Sequence, residues 1–179
     1  EYLVDTDICY ICVPTPSEEG GACDVTVVEE IIADLNSLCH KGIVAIKSTV
    51  VPGTTVRLQK QYPDLDICFV PEFLRERCAE VDFTEQHDLC VIGTEDEWVY
   101  EQVKLSHGKY PKSIKQLSPT EAELAKYFNN IFNATLITFA NSFFEVCEFL
   151  NADYSSIKNA ITDIDHIPDK YLDCNSSFR

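Results

Sequence analysis

The sequence predicts an α/β fold in which a helix-covered parallel sheet is followed by a long helix and a smaller helical region. Short continuous apolar runs are typical of strands that are buried on both faces of such a sheet. Segments with apolar residues at helical spacing separate these runs, and this alternation implies crossover connections. A stretch without Gly or Pro after Pro119 predicts the long helix. The strand-like runs are residues 7–13, 43–49, 66–70 and 88–93.

The first predicted strand, 7–13, ends at Pro14-Thr15-Pro16, and a polar loop follows it. Asp24 is a plausible N-cap of the next helix, because its carboxylate can accept a hydrogen bond from a free helical N–H group. Gly42 ends this helix. Its apolar positions recur at helical spacing and are Val27, Val28, Ile31, Ile32, Leu35 and Leu38.

The second predicted strand, 43–49, runs into a turn at 51–55 and then a short helix over 56–62. The other two strands come next along the chain. A helix over 96–106 follows the last of them. This half of the chain is therefore predicted to be a parallel sheet with its connecting helices.

The long helix has a strong predicted start. Ser118 can act as its N-cap, Pro119 suits the first helical position, and Glu121 can complete the cap. The helix extends to Leu150, far beyond the usual length. Its apolar side chains cover more than one face, which is typical of a helix that is buried within a domain and also across a subunit interface.

These patterns divide the chain into two predicted regions. Residues 1–117 are predicted to form a sheet with its connecting helices, and residues 118–179 a helical region. The second region contains the long helix, a shorter helix over 154–162, and a tail from Asp163 that is predicted to be loop.

Composition excludes several classes of protein. The formal net charge is −16 over 179 residues, so nucleic-acid phosphates would be repelled and no nucleic-acid partner is expected. No apolar run reaches the roughly 18–20 residues of a membrane span, and the N-terminus does not resemble a signal peptide. We therefore expect a cytoplasmic protein. The sequence has no Met and opens almost directly into a strand, so we expect an internal piece of a longer polypeptide.

The nine cysteines do not predict a metal or redox site. Their number is odd, and several lie inside apolar strand-like runs, where Cys behaves as a small hydrophobic residue. Cys9 and Cys12 have the spacing of a zinc or redox pair, but they lie within a strand and no second pair accompanies them. No metal is expected.

Polar residues follow three of the predicted strands, at 13–17, 47–50 and 70–76. Ligands of such sheets bind at the carboxyl ends of the strands, so a shared cleft is expected there. Lys126 and Asn130 are four residues apart and share one face of the long helix. From spacing alone, two interpretations of Lys126 stay open: a buried working lysine with a lowered pKa, or a lysine that reaches out to water.

Five motifs, in order along the chain, resemble those of the UDP-glucose/GDP-mannose family of nucleotide-sugar dehydrogenases. Pro-Glu-Phe-Leu-Arg-Glu at 71–76 is the most specific, and the resemblance covers nearly the whole chain. It implies the second half of a Rossmann-like sheet, followed by a central dimerisation helix over 119–150. The other motifs are Ile8-Cys-Tyr-Ile-Cys-Val-Pro-Thr-Pro16, Ile46-Lys-Ser-Thr-Val-Val-Pro-Gly-Thr-Thr55, Asp82-Phe83 with Val91-Ile-Gly93, and Ala122-Glu-Leu-Ala-Lys-Tyr-Phe-Asn-Asn130.

The resemblance implies that NAD oxidises the C6 alcohol of a nucleotide sugar twice, through an aldehyde and a cysteine thiohemiacetal to a thioester that water hydrolyses. UDP-glucose is the first expected substrate and GDP-mannose the second. Glu72 matches the base of the hydrolysis, and Lys126 matches the cation that stabilises the developing oxyanion. Asn130 matches a partner in that site, and Thr49 matches the hydroxyl that positions water.

The same resemblance implies two sets of binding residues. Val13, Pro14, Thr15, Pro16, Ser17, Ser48, Thr49, Val50 and Glu76 match residues that line the NAD site. Glu72, Phe73, Leu74, Arg75, Glu76, Lys126 and Asn130 match residues that contact the sugar nucleotide. A homodimer through 119–150 is expected.

The sequence also departs from the family pattern. The Gly-x-Gly-x-x-Gly loop and the nucleophilic-cysteine motif Gly-Phe-Gly-Gly-x-Cys are absent, and Cys174 is not assigned as the nucleophile. We therefore expect the isolated chain to form no NADH. Two alternatives stay open: a non-catalytic module that folds and dimerises, and a dehydrogenase of the 3-hydroxyacid or 6-phosphogluconate type.

Overall fold

The computed structural model describes residues 6–17, 20–74, 79–85 and 87–174. Strands and helices alternate along its first part, and two helices end it. The elements are β1 (Ile8–Ile11), α1 (Thr26–Ser37), β2 (Ile43–Ile46), α2 (Thr54–Gln61), β3 (Asp66–Phe69), α3 (Ala79–Thr84), β4 (Leu89–Gly93), α4 (Glu97–His107), β5 (Ser113–Leu117), α5 (Pro119–Leu150) and α6 (Tyr154–Ile161).

The five strands form one sheet in the order β1-β2-β3-β4-β5. β1, β2 and β3 are parallel to one another, and β4 is parallel to β5. The predicted Rossmann-like parallel sheet is confirmed as a mostly parallel one, but β3 and β4 meet antiparallel, with Phe69 opposite Gly93. A parallel return needs a crossover of a dozen or more residues, usually a helix. Between β3 and β4 the described residues contain only the six-residue α3.

Strand β2 lies at the centre of a two-sided core, and all four of its residues are buried. Val44 and Ile46 pack on one face with residues of α1 and α2, including Ile32 and Leu58. Ile43 and Ala45 pack on the other face with Val99 and Val103 of α4. Because successive strand residues point to opposite faces, a continuous apolar run is the pattern that such a strand requires.

Two elements were not predicted from the sequence. α3 occupies Ala79–Thr84, and β5 occupies Ser113–Leu117 at the edge of the sheet. Strand β5 contains Lys115 and Gln116, both exposed. An edge strand with exposed polar residues lacks the continuous apolar run by which the other strands were recognised.

Helix α5 begins as predicted. The Ser118 N–H and hydroxyl both donate to the Glu121 carboxylate, at 2.9 and 2.6 Å. The Glu121 N–H lies 3.4 Å from Ser118 Oγ, which completes a reciprocal cap. α5 then continues without interruption to Leu150, over 32 residues.

Gly93 allows α5 to start directly against the end of β4. A Cβ atom at Gly93 would lie 2.6 Å from the Ala122 Cβ and 3.1 Å from the Pro119 Cα. Such contacts are too close for any side chain. Glycine is therefore required here by the close approach of a helix, and this approach fixes the first turns of α5 beside the sheet.

The chain divides into two compact units, Glu1–Lys126 and Tyr127–Arg179. The second unit has a small core of its own, formed by Ala140, Cys147, Tyr154 and Leu172. The Tyr154 hydroxyl donates to the Leu172 carbonyl at 2.6 Å. The sequence-based division at 117/118 stays a prediction.

Candidate functional site at the strand ends

The carboxyl ends of β1, β2 and β3 lie side by side. Ile11 is the register partner of Ile46, and Ile46 is the partner of Phe69. The polar segments that begin at residues 12, 47 and 70 therefore leave the sheet at one edge. The segments lie within the first unit, and the ligand cleft that the sequence predicts between them stays a prediction.

Glu72 is held on three sides at this edge. One carboxylate oxygen, Oε2, lies 3.0 Å from Lys47 Nζ, in a pair whose side chains are 30% and 17% exposed. The other, Oε1, accepts from the Phe73 N–H at 3.0 Å. The Glu72 carbonyl accepts from Lys126 Nζ. The carboxylate thus has a fixed orientation and a cation next to it.

Lys126 reaches the same segment from α5. Its ammonium donates to the Glu72 carbonyl and lies 5.9 Å from the centre of the Phe73 ring. Burial lowers the pKa of Lys126, the charge of Glu72 opposes that shift, and the charge of Lys47 adds to it. Of the two interpretations that spacing left open, the geometry favours a half-buried, hydrogen-bonded lysine with a lowered pKa over one that reaches out to water.

The three residues after Lys47 face different surroundings. Ser48 is buried, and its hydroxyl accepts from the Val13 N–H at 2.8 Å and lies 2.7 Å from the Val13 carbonyl. It therefore joins the ends of β1 and β2. Val50 is part of the core and 0% exposed, so its predicted contact with NAD stays a prediction. Thr49 is half-buried.

The loop after β1 carries the other predicted cofactor residues. Pro14, Pro16 and Ser17 are exposed, and Val13 and Thr15 are half-buried. Cys23 Sγ lies 3.5 Å from the Thr15 carbonyl and 3.2 Å from the Thr49 carbonyl, so the thiol bridges this loop and the loop after β2. The predicted cofactor residues at 13–17 and at 49 are thereby brought close together.

A buried carboxylate ties α5 to the loop after β2. Glu123 is 0% exposed, and its carboxylate accepts from the Gly53 N–H and from the N–H and hydroxyl of Thr55, at 2.8 and 2.7 Å for the latter two. The N-cap of α2 is Gly53, which has no side chain with which to cap the helix. Glu123 supplies this cap from α5, one turn before Lys126.

A group of aromatic rings lies next to the Lys47–Glu72 pair. The Tyr10 ring centre is 5.8 Å from Lys47 Nζ and 6.0 Å from the His107 ring. The rings of His107 and His87 are 6.4 Å apart. Burial is the main cause that lowers the pKa of both histidines, and the charge of Lys47 lowers it further. Neutral rings therefore surround the ion pair at neutral pH.

The structure says less about the other predicted site residues. Phe73 and Leu74 are half-buried beside Glu72. Arg75 and Glu76 lie outside the described residues. Asn130 lies on α5 one turn after Lys126, is half-buried, and belongs to the second unit. Its role in the site stays a prediction.

Three residues with structural roles at the site were not identified from the sequence: Lys47, Cys23 and Glu123. Lys47 offered a signal, because it is a charge placed directly after a wholly apolar strand. Glu123 is three residues before Lys126 and so shares its helix face. For Cys23 we find no signal in the sequence, since its contacts are with two main-chain carbonyls.

In the described part of the chain, no three His, Cys, Asp or Glu side chains are grouped closely enough to hold a metal ion. Within the same residues, no helix combines the length and the apolar character that crossing a membrane requires.

Comparison with known proteins identifies the family. The model of the UDP-glucose/GDP-mannose dehydrogenase family NAD binding domain matches residues 1–107. The chain belongs to the UDP-glucose/GDP-mannose dehydrogenase family. The central-domain model of the same dehydrogenase family matches residues 120–178. The resemblance drawn from the five motifs is confirmed, as is the Rossmann-like α/β fold.

Curated relatives agree with this assignment. UDP-glucose 6-dehydrogenase AglM of Haloferax volcanii is 33% identical over 179 positions, which cover 89% of this chain and 41% of AglM. A UDP-glucose dehydrogenase structure from Pyrobaculum islandicum has 30% identity and a TM-score of 0.86, covering 95% of this chain and 42% of that one. GDP-mannose 6-dehydrogenase of Pseudomonas aeruginosa is 28% identical, covering 89% and 39%. The chain thus spans about two fifths of the length of these relatives.

NAD is the cofactor to which the matched dehydrogenase domain points. The predicted NAD contacts at 13–17 and at Thr49 stay predictions; the loop at 13–17 is exposed or half-buried along its length, so it is accessible to a ligand. In that prediction these residues would hold the nicotinamide ring. Bound there, NAD would supply the hydride acceptor.

Proposed function

We propose that this chain supplies part of the active site of an NAD-dependent dehydrogenase that oxidises the C6 alcohol of a nucleotide sugar to the acid. The observation that supports the proposal most is the meeting of Glu72, Lys47 and Lys126 at the edge where β1, β2 and β3 end. Such a site combines a base and a buried cation, as acyl hydrolysis and alcohol oxidation both require.

In this proposal Glu72 is the base of the hydrolytic step. Its carboxylate is held by Lys47 and by the Phe73 N–H, so it presents a fixed acceptor to a water molecule. Thr49 positions that water from the end of β2. Proton transfer by a positioned group of this kind typically contributes about 10²–10⁴-fold to a rate.

Lys126 provides positive charge where an oxyanion develops. Its ammonium is already desolvated and fixed by the Glu72 carbonyl, so little reorganisation is needed during the reaction. The contacts of Phe73, Leu74, Arg75, Glu76 and Asn130 with the sugar nucleotide belong to the same proposal and rest on the family match alone.

The substrate is proposed to be UDP-glucose, with GDP-mannose second. Two relatives that match this chain over most of its length carry these two specificities in their names. The test is NADH formation at 340 nm by the protein encoded by the full reading frame that contains these residues, with each nucleotide sugar in turn. We expect turnover with UDP-glucose, and no NADH from either sugar would overturn the proposal.

We propose that the same protein is a homodimer through α5. Apolar side chains stay exposed along one stripe of this helix, including Phe128 at 76% and Phe149 at 86%. Continuous apolar surface of this kind marks an interaction site. A second copy of the chain can cover it with the same stripe around a two-fold axis.

A further inference from the structure

Lys47 is the charged group that directly faces the carboxylate of Glu72. Its Nζ lies 3.0 Å from Glu72 Oε2. Lys126 donates instead to the main-chain carbonyl of Glu72. The two lysines therefore bond to different parts of the same residue: Lys47 pairs with the carboxylate, which also accepts from the Phe73 N–H, and Lys126 bonds to the carbonyl.

Lys47 is itself held at its main chain and at its ammonium group. Its N–H donates to the Ile11 carbonyl at 2.9 Å, which fixes the main chain beside β1. Its ammonium lies 5.8 Å from the centre of the Tyr10 ring, and the Tyr10 hydroxyl is 2.6 Å from Ser106 Oγ. A long side chain loses entropy when it is fixed, and this arrangement has already restricted it before any ligand arrives.

The other titratable groups around the pair do not supply a competing charge. Burial lowers the pKa of His87 and of His107, so both rings are neutral at neutral pH. Burial raises the pKa of Cys90 to about 11 and that of Tyr10 above its ordinary value, so both stay protonated. Lys126 is the one other cation of the described residues that contacts this segment, and it contacts the carbonyl.

We infer that Lys47 is a positioning residue for Glu72, whose ammonium holds the carboxylate in the orientation needed to act as a base. The inference rests on the proposed function of Glu72. Lys47 acts through Glu72 alone, and this predicts both a structural and a kinetic consequence when the ammonium is removed.

The structural consequence can be measured without turnover. The Phe73 N–H donates to Glu72 Oε1, so its amide proton resonance reports where the carboxylate lies. In Lys47→Met the amide proton should move upfield, toward its position in Glu72→Gln. Lys47→Arg, which retains the charge, should leave it near the wild-type position. Lys112→Met removes an exposed lysine that pairs with Asp88 and serves as the matched control.

The kinetic consequence is measured as a double-mutant cycle in the complete protein. Lys47→Met should lower kcat on the order of 10²-fold, as expected when a reacting group is displaced by about 1 Å. In the Glu72→Gln background, Lys47→Met should lower kcat by less than about two-fold, because the effects of mutating two groups that act as a unit are not additive. Lys47→Arg should restore most of kcat.

The outcomes separate the two proposals. An unchanged Phe73 resonance in folded Lys47→Met, or equal losses of kcat in both backgrounds, would overturn the positioning role of Lys47. A shifted resonance in a protein that forms no NADH would overturn the proposed function and leave the structural pairing intact.

Discussion

Within helix α5, two charged side chains of the first two turns are bonded to neighbouring segments, whereas the turns after Lys126 expose aromatic side chains. Glu123 is wholly buried and bonded to the loop after β2, and Lys126 is bonded to the Glu72 carbonyl. Further along, Phe128, Phe139 and Phe149 are more than half exposed. A charged side chain is therefore buried near the start of this helix, and aromatic side chains are exposed further along it.

This difference shows that the two parts of α5 have different tasks. A buried charge is tolerated only when hydrogen bonds or an opposite charge compensate its desolvation, and the first turns meet that condition. The aromatic stripe further along the helix stays exposed to water. Large apolar patches on a surface are normally covered by a partner. We propose that the start of α5 serves the site and that the rest serves the dimer.

The largest effect is expected when the buried carboxylate is removed from the first turns. Glu123→Gln should lower the free energy of unfolding by about 3 kcal/mol, because the N–H groups of Gly53 and Thr55 would face an amide that also carries hydrogens. Urea unfolding can be followed through Trp98, the single tryptophan, which lies in the first unit.

The matched control is Glu121→Gln on the same helix, two residues earlier. Glu121 is exposed and serves only the local cap with Ser118, so its loss should cost about 1 kcal/mol or less. If the two variants lost equal stability, burial of Glu123 would not be the source of its effect.

The exposed part of α5 is tested by placing a charge in the apolar stripe. Phe139→Glu should raise the dimer dissociation constant by at least about 10²-fold, since a buried, unpaired carboxylate at an interface costs several kcal/mol. Sedimentation equilibrium measures the change. Asn141→Glu adds the same charge about 160° around the helix from Phe139, and it should affect association less. A monomeric wild-type protein would contradict the proposed dimer.

A smaller effect is expected from the neutral rings beside the ion pair. Burial lowers the pKa of His87 and His107 below 6.5, so below that pH the unfolded chain binds more protons than the native one. Stability should therefore fall as the pH drops through this window, with a slope of at most about 1.4 kcal/mol per pH unit for each histidine.

His107→Phe removes one of these two groups. Its unfolding free energy, measured between pH 4 and 8, should depend less steeply on pH in the acid range than that of the wild type. Toward pH 8 the two slopes should converge, because the unfolded chain then binds almost no proton at this position. If the unfolding free energy of His107→Phe depended on pH as steeply as that of the wild type in the acid range, His107 would not contribute to this dependence.

Much of this contrast along α5 was readable from the sequence, because the relevant signals are local. The cap formed by Ser118 and Glu121 and the absence of Gly and Pro predicted the helix. Its apolar residues on several faces predicted that more than one surface would need covering. Polar residues after three strands placed the site at one edge, and the structure brings two of those segments and Lys126 together.

Other features depend on contacts between distant segments, which the sequence does not show. The Lys47–Glu72 pair requires the register between β2 and β3, and the role of Glu123 requires the position of α5 against α2. Strand β5 was missed because an edge strand with Lys115 and Gln116 has no continuous apolar run. The antiparallel meeting of β3 and β4 was missed because alternation alone favours a parallel sheet.

The most direct test of the account is the rate of NADH formation from UDP-glucose by the complete protein and by its Lys126→Met variant, with Lys104→Met as the control. Lys104 forms an exposed pair with Glu101 on α4 and plays no part in the site. We predict that Lys126→Met loses on the order of 10²–10³-fold in kcat, the typical effect of removing one group that stabilises an oxyanion. Equal rates for the two variants would contradict the claim that the first turns of α5 serve the site.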